Sequence, residues 1–209
     1  MKYVVPAFLT FILQGCSSTG VTISKPDTLI ENPQGIGYLS GDLASSRIWP
    51  FTADNIATTL NFRHTASRHI FSITSTQSGI DYSSEEIRGQ LFSVPLPAGN
   101  YELYSVSFKS NNGVRALYSS SESELGVNFT VEPNEVTFLG QFVTSSLVAK
   151  STLWNTQYPS GLGQLDYHQA TEQDQEAFSN RFPEQAALDF NPQHLKGLQA
   201  PIKSVTIIE

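Results

Sequence analysis

A single cysteine stands in this chain of 209 residues, so no internal disulfide can close and no cysteine-based zinc site can be assembled. Apolar stretches of about 20 residues do not recur along it, which excludes a polytopic helical membrane protein. Positive charge is scarce: 12 Lys and Arg face 19 Asp and Glu, a formal charge of −7. That balance opposes nucleic acid binding, because neutralising phosphates needs clustered cations. No G-x-S-x-G nucleophile elbow occurs, Asp is too sparse for a calcium loop, and Gly161-x-Gly163 lacks the strand and helix of a phosphate cradle. What remains is 39% hydrophobic and 11% aromatic residues, enough for one buried core. The length fits one domain plus tails at roughly 100 to 200 residues per domain.

The amino terminus is the most informative stretch. Lys2 supplies a short positive region, and residues 3–13 form an almost unbroken apolar run, too short for a stable membrane span and of signal-peptide length. Leu13-Gln14-Gly15-Cys16 follows, then Ser17-Ser18-Thr19-Gly20. This resembles the lipobox of bacterial lipoproteins, with an aliphatic residue three places before the Cys and a small Gly15 at the cleavage point. Gln14 departs from the pattern, since a small residue is commoner there, and Pro6 is unusual in the apolar run. The resemblance implies that residues 1–15 are a signal peptide and that Cys16 becomes the first mature residue, carrying diacylglycerol and an N-acyl (palmitate-type) chain. Two or three chains make such attachment effectively permanent, at about 0.8 kcal/mol per buried methylene. The alternative is a free Cys that happens to follow an apolar segment. Ser17, where Asp would signal inner-membrane retention, implies an outer-membrane address facing the periplasm if the source is Gram-negative.

Removing residues 1–15 takes away Lys2 alone among charged side chains, leaving 11 cations against 19 acids, or −8. An acidic body is repelled by anionic head groups, so the lipid is the only evident membrane contact. Residues 16–34 are rich in Ser, Thr, Pro and Gly and read as a tether, with residues 21–23 alternatively pairing at a sheet edge.

From residue 35 to about 155 the dominant period is two. Leu60, Phe62 and His64 alternate with polar neighbours; so do Tyr104, Val106 and Phe108, and Val127, Phe129 and Val131. Phe71 and Ile73, then Val136, Phe138 and Phe142, continue the pattern, and residues 147–154 give one more expected strand. Leu96-Pro97-Ala98-Gly99 and Glu132-Pro133-Asn134-Glu135 carry turn chemistry, so two successive hairpins are expected. Leu96-Pro97-Ala98-Gly99-Asn100-Tyr101-Glu102-Leu103 also resembles the LP-x-G-x-Y-x-L signature of prealbumin-like, carboxypeptidase-regulatory-like and Cna-B-like sandwiches. Val131 to Gly140 is similar to the V-x-P-G-E-x-x-Y-L-G segment of many uncharacterised bacterial lipoproteins, with Asn134 where Gly is usual. Asn tolerates the left-handed backbone such a turn needs. The resemblance implies a mainly β fold, an Ig-like or prealbumin-like antiparallel sandwich, and brings no catalytic residue with it.

Residues 156–209 read as a loop, a helix and a tail packed on the sandwich. Tyr158-Pro159-Ser160-Gly161-Leu162-Gly163 has loop composition, and Thr171-Glu172-Gln173-Asp174 resembles a capping box with Asp in the last place. Phe178 and Phe182, four apart, share a helix face that Pro183 ends. The stripe either docks on the sandwich or awaits a partner. Ser204 to Ile208 has strand character.

Chemistry-bearing groups are few. His64 and His69 are five apart, on opposite strand faces unless a turn intervenes, and flanking Arg63 and Arg68 repel a cation; surface histidines at a hairpin end is the reading. Asp166 and His168 face one way on a strand but lack a nucleophile context. Trp49-Pro50-Phe51 is a loop that either packs on the sandwich end or anchors a partner or glycan. Residues 47–69 hold three arginines and one acid, residues 166–189 six acids and one arginine; these segments pack together, mark opposite poles, or are simply solvated. No metal or other cofactor is expected. The function expected is a non-enzymatic envelope lipoprotein that binds or supports an envelope component, with an envelope hydrolase of dispersed active site as the alternative.

Overall fold

Residues 21–24, 35–111 and 116–206 are described by the structure, a computed structural model. The signal segment, Cys16 and residues 25–34 of the tether lie outside the described residues.

Alternating apolar positions produce a mainly β fold. One half of the sheet contains β1 (Val21–Ser24), β3 (Ile56–His64), β4 (Ile70–Ser75), β7 (Gly99–Asn111), β8 (Ala116–Ser121) and β9 (Val127–Val131). The other contains β2 (Ile36–Ser46), β5 (Tyr82–Ser83), β6 (Ile87–Pro97), β10 (Glu135–Lys150), β11 (Gln157–His168) and β12 (Asp189–Pro192). β13 (Ile202–Thr206) pairs with β8 on one side and β11 on the other, so the halves form one continuous curled, open sheet running β1-β4-β3-β7-β8-β13-β11-β10-β2-β6-β5. Residues 21–23 thus take the edge-pairing alternative: β1 lies antiparallel on β4, with Val21 opposite Ser75 and buried in the core.

The inner faces meet in a core that includes Leu39, Phe92 and Phe142 from one half and Leu60, Phe62 and Val106 from the other. Thr58 and Thr144 share a hydroxyl–hydroxyl bond of 2.5 Å across this core, satisfying two buried polar groups at once. The strand phase is read correctly for β3 and β9. In β7 it shifts: Leu103, Val106 and Phe108 are buried, and Tyr104 is the extra residue of a bulge opposite Asn61 and Phe62.

Both expected hairpins are corrected. β6 and β7 reverse direction around Ala98 but do not pair; each hands the chain from one half of the sheet to the other, and so do β9 and β10. The edges of β7 explain the first corner: β3 bonds one edge and β8 and β9 share the other, so no edge of β7 is left for β6, which bonds β2 instead. Tyr101 locks the first corner by donating its Oη–H to the Pro97 carbonyl at 2.7 Å, the arrangement of a tyrosine corner. Tyr101→Phe, which orphans that carbonyl, is expected to lower stability by about 1–2 kcal/mol in urea unfolding; an unchanged midpoint would show the corner to be held by its apolar contacts alone. In the second corner Asn134 has φ 59°, the left-handed conformation expected for it.

The antiparallel expectation holds for most pairs but not for β2–β10 and β10–β12, which are parallel. Parallel neighbours need a long crossover, here the whole of residues 47–134, which no local turn signal reveals. The segment 158–163 is strand β11, not loop, and residues 147–150 finish β10 rather than starting a strand. Gly163 makes the first possible: a Cβ there would sit 2.2 Å from the Phe108 ring. The capping box forms, with Asp174 Oδ2 accepting the Thr171 backbone N–H at 2.6 Å, and opens α1 (Glu172–Arg181).

Candidate functional site

Strand register sorts the loops onto two poles. Val21 faces Ser75, Ile56 faces Ser110, Ser45 faces Thr144, Ser46 faces Ile87 and Lys150 faces Gln157. One pole therefore carries the loops 47–55, 76–81 and 151–156 together with the start of β1. The opposite pole carries both corners and the 65–69 turn, while residues 122–126 cross from β8 to β9 beside the middle of β7.

Polar clefts open at the first pole. One, of about 270 Å³, lies between Asp54, Asn55, Thr76, Gln77, Arg88 and Lys109; its neighbour, of about 340 Å³, shares Asp54, Asn55 and Asn111 and adds Trp49 and Ser160. Arg88 bridges the first by donating Nη2–H to the Asp54 carbonyl at 2.7 Å while its Nε stands 3.2 Å from Asp54 Oδ1. That second contact is an ion pair without hydrogen-bond geometry, since Oδ1 is buried and makes no hydrogen bond.

The rim of this pole is apolar. Ala53 and Ile56 are buried and plug the base of the 47–55 loop, while Trp49 is 65% exposed and Ile48 and Phe51 are also exposed. Leu153 and Trp154, at the tip of the 151–156 loop, are 80% and 75% exposed. Backbone bonds close both loops: Phe51 N–H to Ile48 O at 2.7 Å, Ser146 N–H to Phe51 O at 2.9 Å, and Ser151 N–H to Thr156 O at 2.9 Å. The tips are thus held outward on closed turns. They flank a shared notch of about 410 Å³ lined by Trp49, Pro50, Lys150 and Asn155. Of the two readings of Trp49-Pro50-Phe51, packing on the sandwich end is the one the exposures overturn. Leu153 and Trp154, taken from sequence for strand residues, are its companions.

Other sequence candidates are scattered. His64 and His69 close the β3–β4 turn, His64 N–H bonding His69 O at 2.9 Å, and His64 Nδ1 is 2.8 Å from Ser67 Oγ. Asp166 and His168 leave the core face, which Leu165 and Tyr167 take, and His168 is at the far end of β11 from the cleft-lining Ser160. Among the described residues no group of three or more His, Cys, Asp or Glu could hold a metal ion. The charged segments neither pack together nor mark poles: Arg63 pairs with Glu102 and Glu124, and Arg181 with Asp81 at 2.6 Å.

One cluster had no sequence signal beyond an acid inside an apolar strand. On the outer face of the second half, beneath the C-terminal segment, Asp42 Oδ2 accepts hydrogen bonds from Tyr82 Oη and from Gln141 Nε2, the latter at 2.8 Å. Its Oδ1 is buried without a partner. Burial pushes the Asp42 carboxyl up to about 6, against the Tyr82 and Gln141 hydrogen bonds, with nearby Asp174 adding to the rise. Burial first, then the Asp42 charge, also raises the Tyr82 phenol.

No family model and no curated protein matches the chain. Among solved structures, a leucine-rich repeat protein from Bacteroides thetaiotaomicron VPI-5482 is similar over 53% of this chain and 14% of that one, at 15% identity and a TM-score of 0.35. So loose a likeness carries no argument about fold or activity.

Proposed function

We propose that the chain is a lipoprotein of the bacterial cell envelope, anchored through acylated Cys16, whose β-rich body is a non-enzymatic binding or structural module. The observation that carries the reading is the apolar run of residues 3–13 ending at the one Cys of the chain, where lipid attachment and cleavage require it. Supporting the non-enzymatic half, the acid–imidazole pair Asp166 and His168 is separated along β11 from the clefts. The curled sheet is read as an elaborated Ig-like or prealbumin-like sandwich, a reading supported by the Tyr101 corner inside the LP-x-G-x-Y segment. If the source is Gram-negative, Ser17 directs the protein to the outer membrane.

Metabolic labelling tests the anchor. The wild type is expected to incorporate labelled palmitate, and Cys16→Ala to accumulate as an unlabelled, uncleaved precursor. Undiminished labelling of the variant would overturn the assignment.

A further inference from the structure

The acidic body and the Ser- and Pro-rich segment after Cys16 point to a domain held away from the bilayer, yet the topology places the chain's entry elsewhere. Val21 is already buried in the core and hydrogen-bonded into the sheet edge opposite Ser75. Only five residue steps separate it from Cys16, a link that spans at most about 18 Å whatever its conformation. The strand starts at the pole that carries the exposed tips of loops 47–55 and 151–156.

We propose that residues 48–51 and 153–154 form a second membrane contact, seated in the head-group and upper acyl region of the bilayer to which Cys16 is tied. The inference rests on lipidation of Cys16. Trp with aliphatic neighbours is the composition that membrane interfaces select, the indole ring burying its apolar body while its N–H stays hydrated. Ile48, Trp49, Phe51, Leu153 and Trp154 supply it from two closed turns, at a depth of about 5–10 Å for interfacial insertion. Charge at this pole is mixed, Arg47, Arg88, Lys109 and Lys150 standing with Asp54, Glu85 and Glu86, so the exposed apolar tips and the short link to Cys16 carry the contact. The polar clefts then open just above the membrane plane.

The chain contains two tryptophans, both in the proposed contact, which makes intrinsic fluorescence the probe. The full acylated lipoprotein would be reconstituted into phosphatidylcholine–phosphatidylglycerol vesicles with and without bromine on the upper acyl chain. Trp49→Phe and Trp154→Phe leave one reporter each at an exposed position. Each reporter is expected to be quenched by the brominated lipid relative to the unbrominated vesicle, since an indole seated at interfacial depth lies within reach of the upper acyl chain. Protein that floats with the vesicles yet is not quenched keeps its anchor and overturns the contact. Blue-shifted emission without bromine quenching means that a second copy of the chain covers the tips, and also overturns it. Protein that neither floats nor carries lipid on Cys16 refutes the anchor, and the contact falls with it.

Discussion

Phe178→Ala is expected to lower the unfolding free energy by about 3–5 kcal/mol, the range for deleting a buried aromatic ring and leaving its cavity. Phe178 is 1% exposed and joins Leu91, Val136, Phe138 and Phe182 in a second core, distinct from the one inside the curl. Its ring centroid lies 5.1 Å from Phe182, 5.7 Å from Phe190 and 6.3 Å edge-on from Phe138. The reason is on the strands beneath: Val136 and Phe138 point outward from β10 and Leu91 from β6, an apolar surface that water would otherwise meet. Helix α1 is polar on its remaining faces, and its own propensity cannot hold ten residues in helical form. Docking through Phe178 and Phe182 therefore stabilises the helix and the outer sheet face together. Thermal unfolding of the chain beginning at Ser17, with and without the substitution, reads the effect as a fall of about 10 °C or more. An undisturbed curve would mean that the helix leaves the sheet in solution and that its Phe stripe is available to a partner.

The stability of the protein is expected to fall between pH 4 and pH 6 through Asp42. Its folded carboxyl keeps the proton up to about pH 6, whereas the unfolded chain releases it near the ordinary 3.8. Between those values the folded state binds more protons, so this contribution is fully present below about pH 4 and lost as pH rises through 6. The difference corresponds to about 3 kcal/mol. Asp42→Asn removes the titration while keeping an acceptor for Tyr82 and Gln141. Urea unfolding of both proteins at pH 4 and pH 7 should therefore show the variant gaining on the wild type by about 2 kcal/mol at the higher pH. A difference between the two proteins that is the same at both pH values would place the folded carboxyl in its ordinary range. Above pH 6 the anion is buried with one oxygen unpartnered, which is the source of the cost.

Features that depend on a few neighbouring residues were legible without coordinates. The period-two pattern marks β3 and β9, Thr171 and Asp174 announce the start of α1, Asn134 takes the left-handed turn, and the Phe178/Phe182 spacing shows a face that needs burial. Each follows from side-chain direction or from one local hydrogen bond, so a window of under ten residues contains the cause. The candidate site was legible only in fragments: Trp49-Pro50-Phe51 stands out as a loop, but Leu153 and Trp154 continue an apolar run whose exposure nothing nearby discloses. Pairing partners were not legible at all. A tight turn specifies that the chain reverses, and whether the two strands then bond or pass to opposite halves depends on edges filled by residues far away, as at Ala98 and Asn134. The same holds for β2 lying parallel to β10, for β11 forming through Pro159 and two glycines, and for Tyr82 and Gln141 converging on Asp42 across 40 and 99 residues. Local sequence determined the extension of β3 and β9, the two reversals and the start of α1, because those choices are settled by dihedral sterics and neighbouring side chains. Tertiary structure alone decided which edges meet, which acid is stripped of water and which apolar residues remain outside, because each is the outcome of competition among distant segments for one buried volume.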